Sequence, residues 1–322
     1  MKIRCLIFAL CFLAYPSVLF AESDMTITPN PKFPAPYQET TLTVVSYSFD
    51  VNTATITWSI GGKVFQSGIG LKQITLQTGA VGETLQVTVE ASVEGGGRVQ
   101  TGISLTPQSV DILWETPESY TPPFYEGKSL PGNGASVRVT ALPNMSAKGL
   151  RVPAQNLSYS WYVNDDFLDS FSGYGKQSAT IPLDYLSTKT DIKVLVRSTT
   201  GNSAQKTISI YPHDVMPLMY VYDDILGTKM ETLLPRRFEA VQDFTLSLVP
   251  MYFSVKNNFS SSGTYTWLLN NLPVTPQEKT FMAFRPQENS RGIKQLSIIL
   301  ENTRRTLQDA QTDLEILFDT RR

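Results

Sequence analysis

Few side chains in this 322-residue chain have the types and spacing that enzyme catalysis requires. His213 is the single histidine, which leaves one imidazole for a Ser–His–Asp triad or for a histidine-based zinc site. It lies in a predicted loop between repeats, where a solvated linker position is expected. Both cysteines, Cys5 and Cys11, lie near the N-terminus, so thiolate nucleophiles and cysteine metal sites are not expected in the rest of the chain.

Two adjacent acidic pairs, Asp165–Asp166 and Asp223–Asp224, have the composition of a carboxylate site. Paired carboxylates serve glycosidases, and calcium takes six to eight oxygen ligands, which Asp214 could help to supply. However, Asp165–Asp166 falls at a predicted hairpin turn, where aspartate is favoured for backbone geometry. We therefore predict no catalytic residue, no cofactor and no metal site, and the sequence leaves calcium at a domain junction open.

The segment P-E-S-Y-T-P-P-F-Y-E-G, residues 117–127, is the strongest candidate for a binding loop. Prolines make such a loop rigid, and rigid aromatic rings can bind a sugar or peptide at low entropic cost. The candidate binding residues are Tyr120, Phe124 and Tyr125. The alternative is that these rings pack on the neighbouring repeat or cover a sheet edge.

Three tryptophans occur in similar local sequences, roughly 105 residues apart, which is the size of one domain. The sequences are I-T-W-S-I-G-G around Trp58, Y-S-W-Y-V-N-D around Trp161 and Y-T-W-L-L-N-N around Trp267. A tryptophan at the same place in each repeat indicates a core residue between two sheets. We therefore predict that all three are structural core residues.

Hydrophobic periodicity and turn residues indicate strands around these tryptophans. Leu85, Val87, Val89, Ala91 and Val93 alternate with polar residues, as in a half-buried strand. The pair that follows each tryptophan strand can supply the positive φ angles of a two-residue hairpin turn. These pairs are Gly61–Gly62, Asn164–Asp165 and Asn270–Asn271.

With its repeated aromatic-x-W-x-aliphatic-turn pattern, the chain resembles the bacterial Ig-like and PKD-like repeat proteins of the cell envelope. The resemblance covers nearly all of the chain after its first residues. It implies an all-β protein of three tandem immunoglobulin-like β-sandwich domains after a signal peptide. We predict a signal peptide at residues 1–21 and domains at residues 22–108, 109–213 and 214–322.

The N-terminal segment predicts export. Lys2 and Arg4 precede an apolar stretch from residue 5 to residue 15, and Pro16 and Ala21 bound a cleavage region. The expected location is the periplasm or the cell surface and extracellular space. Membrane attachment is expected only through an uncleaved leader, because the apolar stretch is shorter than a bilayer span.

Charge gives no evidence for a nucleic-acid partner. The formal net charge is −2, and basic residues are nowhere denser than adjacent pairs such as Arg236–Arg237. The predicted function is that of an exported, non-catalytic structural or adhesive protein that presents a binding surface to an unidentified protein or glycan. Two alternatives stay open: a carbohydrate- or peptide-binding accessory module that uses the Tyr120–Tyr125 loop, and an envelope-assembly component that binds partners by strand addition.

Overall fold

The protein is all-β, as the sequence predicts. The structure, a computed structural model, describes residues 25–93, 95, 97–123, 125–257, 260–288 and 291–320. The predicted signal peptide therefore lies outside the described residues. The chain divides into two compact units, one containing the strands up to Leu105 and the other beginning at Thr106, with Ala80–Glu83 assigned to the second.

The first sandwich forms the first unit and consists of a three-stranded and a four-stranded antiparallel sheet. The strand orders are β1, β2, β5 and β4, β3, β6, β7. Its core contains side chains from both sheets, among them Leu42 from the first and Val87 from the second. The strands are β1 (Met25–Asn30), β2 (Glu39–Ser46), β3 (Thr55–Ile60), β4 (Lys63–Ile69), β5 (Gln73–Gln77), β6 (Leu85–Ser92) and β7 (Arg98–Leu105).

The second sandwich repeats this arrangement. One sheet has the order β15, β9, β8, and the other has β13, β12, β16, β17, with β14 also paired to β12. Two 3-10 helices, Ala154–Asn156 and Asp169–Phe171, interrupt its connections. The strands are β8 (Ser109–Glu115), β9 (Ser136–Asn144), β10 (Ser146–Ala147), β11 (Leu150–Arg151), β12 (Ser158–Val163), β13 (Asp166–Phe167), β14 (Gly173–Tyr174), β15 (Ser178–Pro182), β16 (Thr190–Arg197) and β17 (Ser203–Ile210).

The third sandwich has sheets of four and five strands, in the orders β19, β18, β21, β24 and β20, β26, β25, β22, β23. All pairings are antiparallel except that of β20 with β26. The strands are β18 (Met216–Asp223), β19 (Gly227–Thr228), β20 (Arg237–Ala240), β21 (Phe244–Met251), β22 (Gly263–Leu269), β23 (Leu272–Val274), β24 (Phe281–Phe284), β25 (Arg291–Asn302) and β26 (Asp309–Asp319). The strands of the three sandwiches thus lie within residues 25–105, 109–210 and 216–319, while the domain boundaries at 108/109 and 213/214 stay predictions.

Each repeated tryptophan is buried in its own core and makes the same hydrogen bond. The indole N–H donates to a backbone carbonyl: Trp58 to Leu71 at 2.8 Å, Trp161 to Lys176 at 3.0 Å and Trp267 to Lys279 at 3.1 Å. In every repeat the acceptor lies in the connection that crosses from the tryptophan's sheet to the facing sheet. The bond therefore satisfies a buried donor and ties the two sheets together.

The predicted turn geometry is confirmed in all three repeats. Gly61 and Gly62 have φ angles of +56° and +79°, Asn164 and Asp165 of +49° and +70°, and Asn270 and Asn271 of +49° and +64°. Positive φ at both central residues gives a hairpin turn whose twist matches that of the flanking strands. The alternation in β6 is also confirmed, because Val87, Val89 and Ala91 are buried.

The tryptophan bond predicts a specific loss of stability. Trp161→Phe keeps an aromatic ring but leaves the Lys176 carbonyl without its donor, so we expect the free energy of unfolding to fall by about 1–3 kcal/mol. Trp161→Ala should cost about 3–5 kcal/mol. Urea unfolding followed by far-UV circular dichroism measures both. The exposed Tyr174 of the same sandwich is the control, and Tyr174→Phe should change stability by less than about 0.5 kcal/mol. Wild-type stability of Trp161→Phe would refute the role given to the bond.

Candidate binding surface in the second and third sandwiches

The proline-rich loop connects β8 to β9 and is closed on itself by side-chain hydrogen bonds. Thr116 Oγ1 donates to the Ser129 carbonyl at 2.8 Å, and Ser119 Oγ donates to the Leu130 carbonyl at 2.6 Å. Both donor side chains are buried. The two arms of the loop are thus held together at its base, which positions the residues between them.

Tyr120 is part of the third sandwich's core, although it precedes that sandwich by about 100 residues. Its side chain is 7% exposed, and its backbone N–H donates to the Phe253 carbonyl at 2.8 Å. Burial, with a contribution from the nearby Tyr120, raises the pKa of Tyr265. Tyr120 therefore packs on the neighbouring repeat, which was one of the two interpretations of this loop.

Tyr125 has a different environment, because its side chain is 45% exposed. The cleft between it, Tyr120 and Tyr252 has a volume of about 10 Å³, which is room for about one water molecule. This cleft is therefore too small for a sugar. Phe124 lies outside the described residues, and ligand binding by Tyr125 stays a prediction.

Lys128 lies in the loop between β8 and β9, and its side chain covers the indole ring of Trp114. Its Nζ is 3.1 Å from the ring centroid. Burial lowers the pKa of Lys128. A cation over an indole face is stabilised by the negative potential of the ring, most strongly where water is excluded. This contact holds the loop against the second sandwich, because Trp114 packs against that sandwich's core.

A buried glutamine joins the second and third sandwiches. Gln308 Nε2 donates to the Asn133 carbonyl and to Ser254 Oγ, both at 2.9 Å. Its Oε1 accepts the Ser254 N–H at 3.0 Å and Asn302 Nδ2 at 2.7 Å. Four bonds satisfy both donors and both lone pairs of the amide, so this buried polar group carries no desolvation penalty from an unmade bond.

Arg305 makes a second connection across the same junction. Its Nη1 donates to the Gly134 carbonyl at 2.8 Å, its Nη2 donates to Ser136 Oγ at 3.1 Å, and the guanidinium forms an ion pair with Glu118. Three directional contacts from one planar group fix the orientation of the second sandwich's loop relative to β25 and β26.

His213 contributes backbone bonds and ring stacking at the junction. Its N–H donates to the Pro131 carbonyl at 3.0 Å, and its carbonyl accepts the Asn133 N–H at 2.9 Å. Its ring stacks on Tyr252 with centroids 4.7 Å apart. Asn133 Nδ2 also donates to Asp214 Oδ1 at 2.6 Å. These contacts give His213 and Asp214 structural partners.

Gly132 lies at a close approach of the second sandwich's loop to the third sandwich. A Cβ atom at this position would lie 1.9 Å from the Tyr252 carbonyl oxygen, far inside any allowed contact. The obstacle is backbone and not a flexible side-chain end, so any larger residue must displace the junction. Glycine is required here by the close approach alone.

In each acidic pair, the first aspartate has a structural partner at a turn. Asp165 forms an ion pair with Lys193, and Asp223 Oδ1 accepts the N–H groups of Ile225 and Leu226 at 2.9 and 3.0 Å. Within the described ranges, no group of three or more histidine, cysteine, aspartate or glutamate side chains could hold a metal ion. The absence of a metal site and of a catalytic residue stays a prediction for the whole chain.

The first sandwich offers a different surface, the edge strand β4. It pairs with β3 on one side only, and six of its seven residues are exposed. Val64 and Ile69 are 68% and 76% exposed. An edge that is apolar and unpaired can accept a strand from another chain. Lys63 is the single charged residue of the strand.

Comparisons with known proteins identify no relative by sequence. No family model matches the chain, and no curated protein matches it. No helix within the described residues is long and apolar enough to cross a membrane.

Among solved structures, the fibronectin(III)-like modules of Clostridium thermocellum CbhA align at a TM-score of 0.28 and 11% identity, over 58% of this chain and 94% of theirs. A 1.5-MDa bacterial ice-binding adhesin aligns at a TM-score of 0.25 and 8% identity, over 93% and 99%. Bacteroides ovatus SGBP-B, solved with a mixed-linkage heptasaccharide, aligns at 0.20 and 12%, over 93% and 71%. Likenesses this distant carry no argument about function.

The junction residues were not found from the sequence. Gln308 and Arg305 belong to no motif, and their partners in the second sandwich lie more than 100 residues away along the chain. Gly132 stands in the run Pro-Gly-Asn-Gly, which by itself indicates a turn. The repeat pattern identifies features that the three copies share, whereas the junction is built from residues that differ between them.

The two tyrosines of the loop are predicted to respond differently to truncation. Tyr120→Ala should lower the free energy of unfolding by about 3 kcal/mol or more, because it leaves a cavity in the third core. Tyr125→Ala, the matched control on the exposed side, should change it by less than about 0.5 kcal/mol. Thermal and urea unfolding of the whole chain measure both. Equal stability of the two variants would contradict the packing of Tyr120.

Proposed function

We propose that the chain is an exported, non-catalytic structural or adhesive protein that presents a binding surface on tandem immunoglobulin-like sandwiches. The observation that carries the proposal is the junction between the second and third sandwiches. Side-chain hydrogen bonds join the two sandwiches through Gln308 and Arg305, and apolar packing joins them through Tyr120. A stiff pair of domains suits a protein whose task is to hold a surface at a fixed place and orientation.

The surroundings of the residues whose side chains could act in catalysis support a non-catalytic role. A general base needs a nucleophile within hydrogen-bond reach, and His213 is instead stacked on Tyr252 in the junction. Asp223 is engaged by two backbone N–H groups and by Lys229 at 3.2 Å, which together lower the pKa of its carboxyl. His213 thus stabilises the junction, and Asp223 stabilises a turn.

Export is supported by the N-terminal sequence and places the protein in the periplasm or at the cell surface. A protein without cysteine after residue 11 depends on packing alone in that compartment. The three tryptophan-centred cores supply that packing. The partner is a protein or a glycan, and the low overall charge of −2 favours recognition by shape and apolar contact over electrostatic steering.

Strand addition at β4 is a second candidate mode of binding, favoured by the exposure of that edge. Main-chain hydrogen bonds would supply the affinity, and the exposed side chains of Val64 and Ile69 would supply specificity. Binding of this kind depends on the partner's main chain and tolerates many changes of its side chains.

The function is tested on the fluorescently labelled chain, incubated with intact cells, envelope fragments and a glycan array. We expect saturable binding without turnover of glycan, peptide or ester substrates. Val64→Lys with Ile69→Lys should weaken binding by about tenfold, because charge blocks an edge. Leu186→Lys, at an exposed site of the second sandwich, is the matched control and should bind normally.

Two results would contradict the proposal. One is turnover of a substrate that a single-residue change abolishes, which would make the protein an enzyme. The other is fractionation of producing cells that leaves the chain in the cytoplasm with its leader attached. Normal binding by the β4 double variant would exclude β4 as the binding edge and leave the non-catalytic role intact.

A further inference from the structure

The hairpin between β18 and β19 ends in two exposed aliphatic side chains. Ile225 is 92% exposed and Leu226 is 77% exposed, and both lie in the three-residue loop between the paired residues Asp223 and Gly227. Moving two aliphatic side chains this exposed out of water would be strongly favourable, because nearly all of their apolar surface is now hydrated. Adjacent exposed apolar side chains of this kind form a candidate interaction surface.

The tip, defined as Asp224, Ile225 and Leu226, is held in shape by Asp223. Asp223 Oδ1 accepts the backbone N–H groups of Ile225 and Leu226, and Asp223 Oδ2 forms an ion pair with Lys229 at 3.2 Å. Side-chain bonds to the backbone two and three residues ahead stabilise a turn locally. The tip is therefore preorganised, which lowers the entropic cost of binding through it.

A cleft with a volume of about 470 Å³ lies in the same sandwich. This volume is within the range of roughly 300–1,000 Å³ that is typical of clefts that hold ligands. Its apolar lining includes Leu269, Phe284, Ile293 and Phe318. Phe284 stacks on Phe244 with centroids 5.1 Å apart and planes 9° apart, so aromatic packing holds this lining residue in place.

The tip and the cleft are at the same end of the third sandwich. Tyr222, beside the tip, pairs with Thr245 at the start of β21. The preceding residue, Phe244, pairs with Phe284 on β24, which lines the cleft. Because β18 and β24 flank β21, the strand that leads to the tip and the strand that lines the cleft are about 10 Å apart, two strand spacings.

Their charges are complementary. Two of the three cations at the cleft have carboxylate partners in the chain: Arg285 pairs with Asp243 at 3.3 Å and Arg291 with Asp319 at 3.6 Å. Lys294 also lines the cleft and has no ion pair with any described residue. At the tip, Asp223 is paired with Lys229, whereas Asp224 has no ion-pair partner within the described ranges. Among the described residues, the Asp224 carboxylate at the apolar tip and the Lys294 ammonium at the apolar cleft thus have no ion-pair partner.

We propose that two copies of this chain associate end to end about a two-fold axis, each inserting its Ile225–Leu226 tip into the other's cleft, with Asp224 pairing with Lys294. A projection and a recess at the same end of one molecule allow this reciprocal exchange, which buries both tips at once and closes the assembly as a dimer. A recess at the opposite end would instead have generated an open filament. This inference goes beyond the proposed function and does not depend on it.

Sedimentation equilibrium of the untagged chain, as the cell produces it, tests the proposal. A tag at the C-terminus is avoided because Thr320 Oγ1 donates to the Gln287 carbonyl at 2.7 Å beside the cleft. We expect a monomer–dimer equilibrium. Ile225→Ser should raise the dimer dissociation constant by about tenfold or more, because it removes a buried anchor. Leu186→Ser, the same kind of change at an exposed site of the second sandwich, should leave it unchanged.

Charge reversal tests the pairing itself. Asp224→Lys and Lys294→Glu should each weaken the dimer by several-fold, since each places like charges opposite one another. The double variant restores opposite charges and should recover most of the affinity. At protein concentrations far below the dimer dissociation constant, thermal unfolding of every variant should match that of the native chain, because all four positions are on the surface and their changes act on association.

The proposal is overturned if the native chain is a monomer at all concentrations. It is also overturned if the chain dimerises with a dissociation constant that Ile225→Ser leaves unchanged, because the interface then lies elsewhere. Failure of the double charge variant to recover affinity, after both single variants have lost it, overturns the pairing of Asp224 with Lys294 and with it the two-fold arrangement.

Discussion

A single buried tryptophan in each sandwich makes the contact on which the rest of that sandwich depends. Trp58, Trp161 and Trp267 fill the space between two sheets, and each indole N–H is satisfied by a carbonyl of the chain as it crosses between them. No cysteine follows residue 11, so no disulfide can replace this contact in the sandwiches. The same requirement explains why an aromatic strand and a tight turn recur in every repeat.

Once the three cores are formed, the residues outside them decide how the sandwiches are joined and what they display. The loop between β8 and β9 gives Tyr120 to the core of the third sandwich, while Gln308 and Arg305 of the third sandwich bond back to that loop. This exchange makes the junction part of two domains at once. Asp223 fixes the backbone of the turn that carries the exposed side chains of Ile225 and Leu226.

The sequence predicts the fold well because its signals are local and repeated. The alternation of β6, the positive φ angles at Asn164 and Asn270, and the all-β class follow from patterns within a few residues. The junction could not be predicted in the same way, because Tyr120 and Phe253 meet through tertiary structure and Gly132 is required by a backbone atom of another domain. The sequence draws attention to the loop by its prolines and aromatic rings, but it could not show that the Tyr120 ring packs in the core of the third sandwich.

The central claim is that the second and third sandwiches form one stiff body. The most direct test is a distance distribution between spin labels at two exposed sites, Leu186→Cys in the second sandwich and Leu272→Cys in the third, measured by double electron–electron resonance. With the labelled chain diluted in unlabelled chain, the account predicts a single narrow distribution that broadens in Gly132→Ala, whose Cβ would lie 1.9 Å from the Tyr252 carbonyl oxygen. It should stay narrow in the control Gly97→Ala, whose Cβ meets nothing within 4 Å. A broad distribution in the otherwise unchanged chain would contradict it.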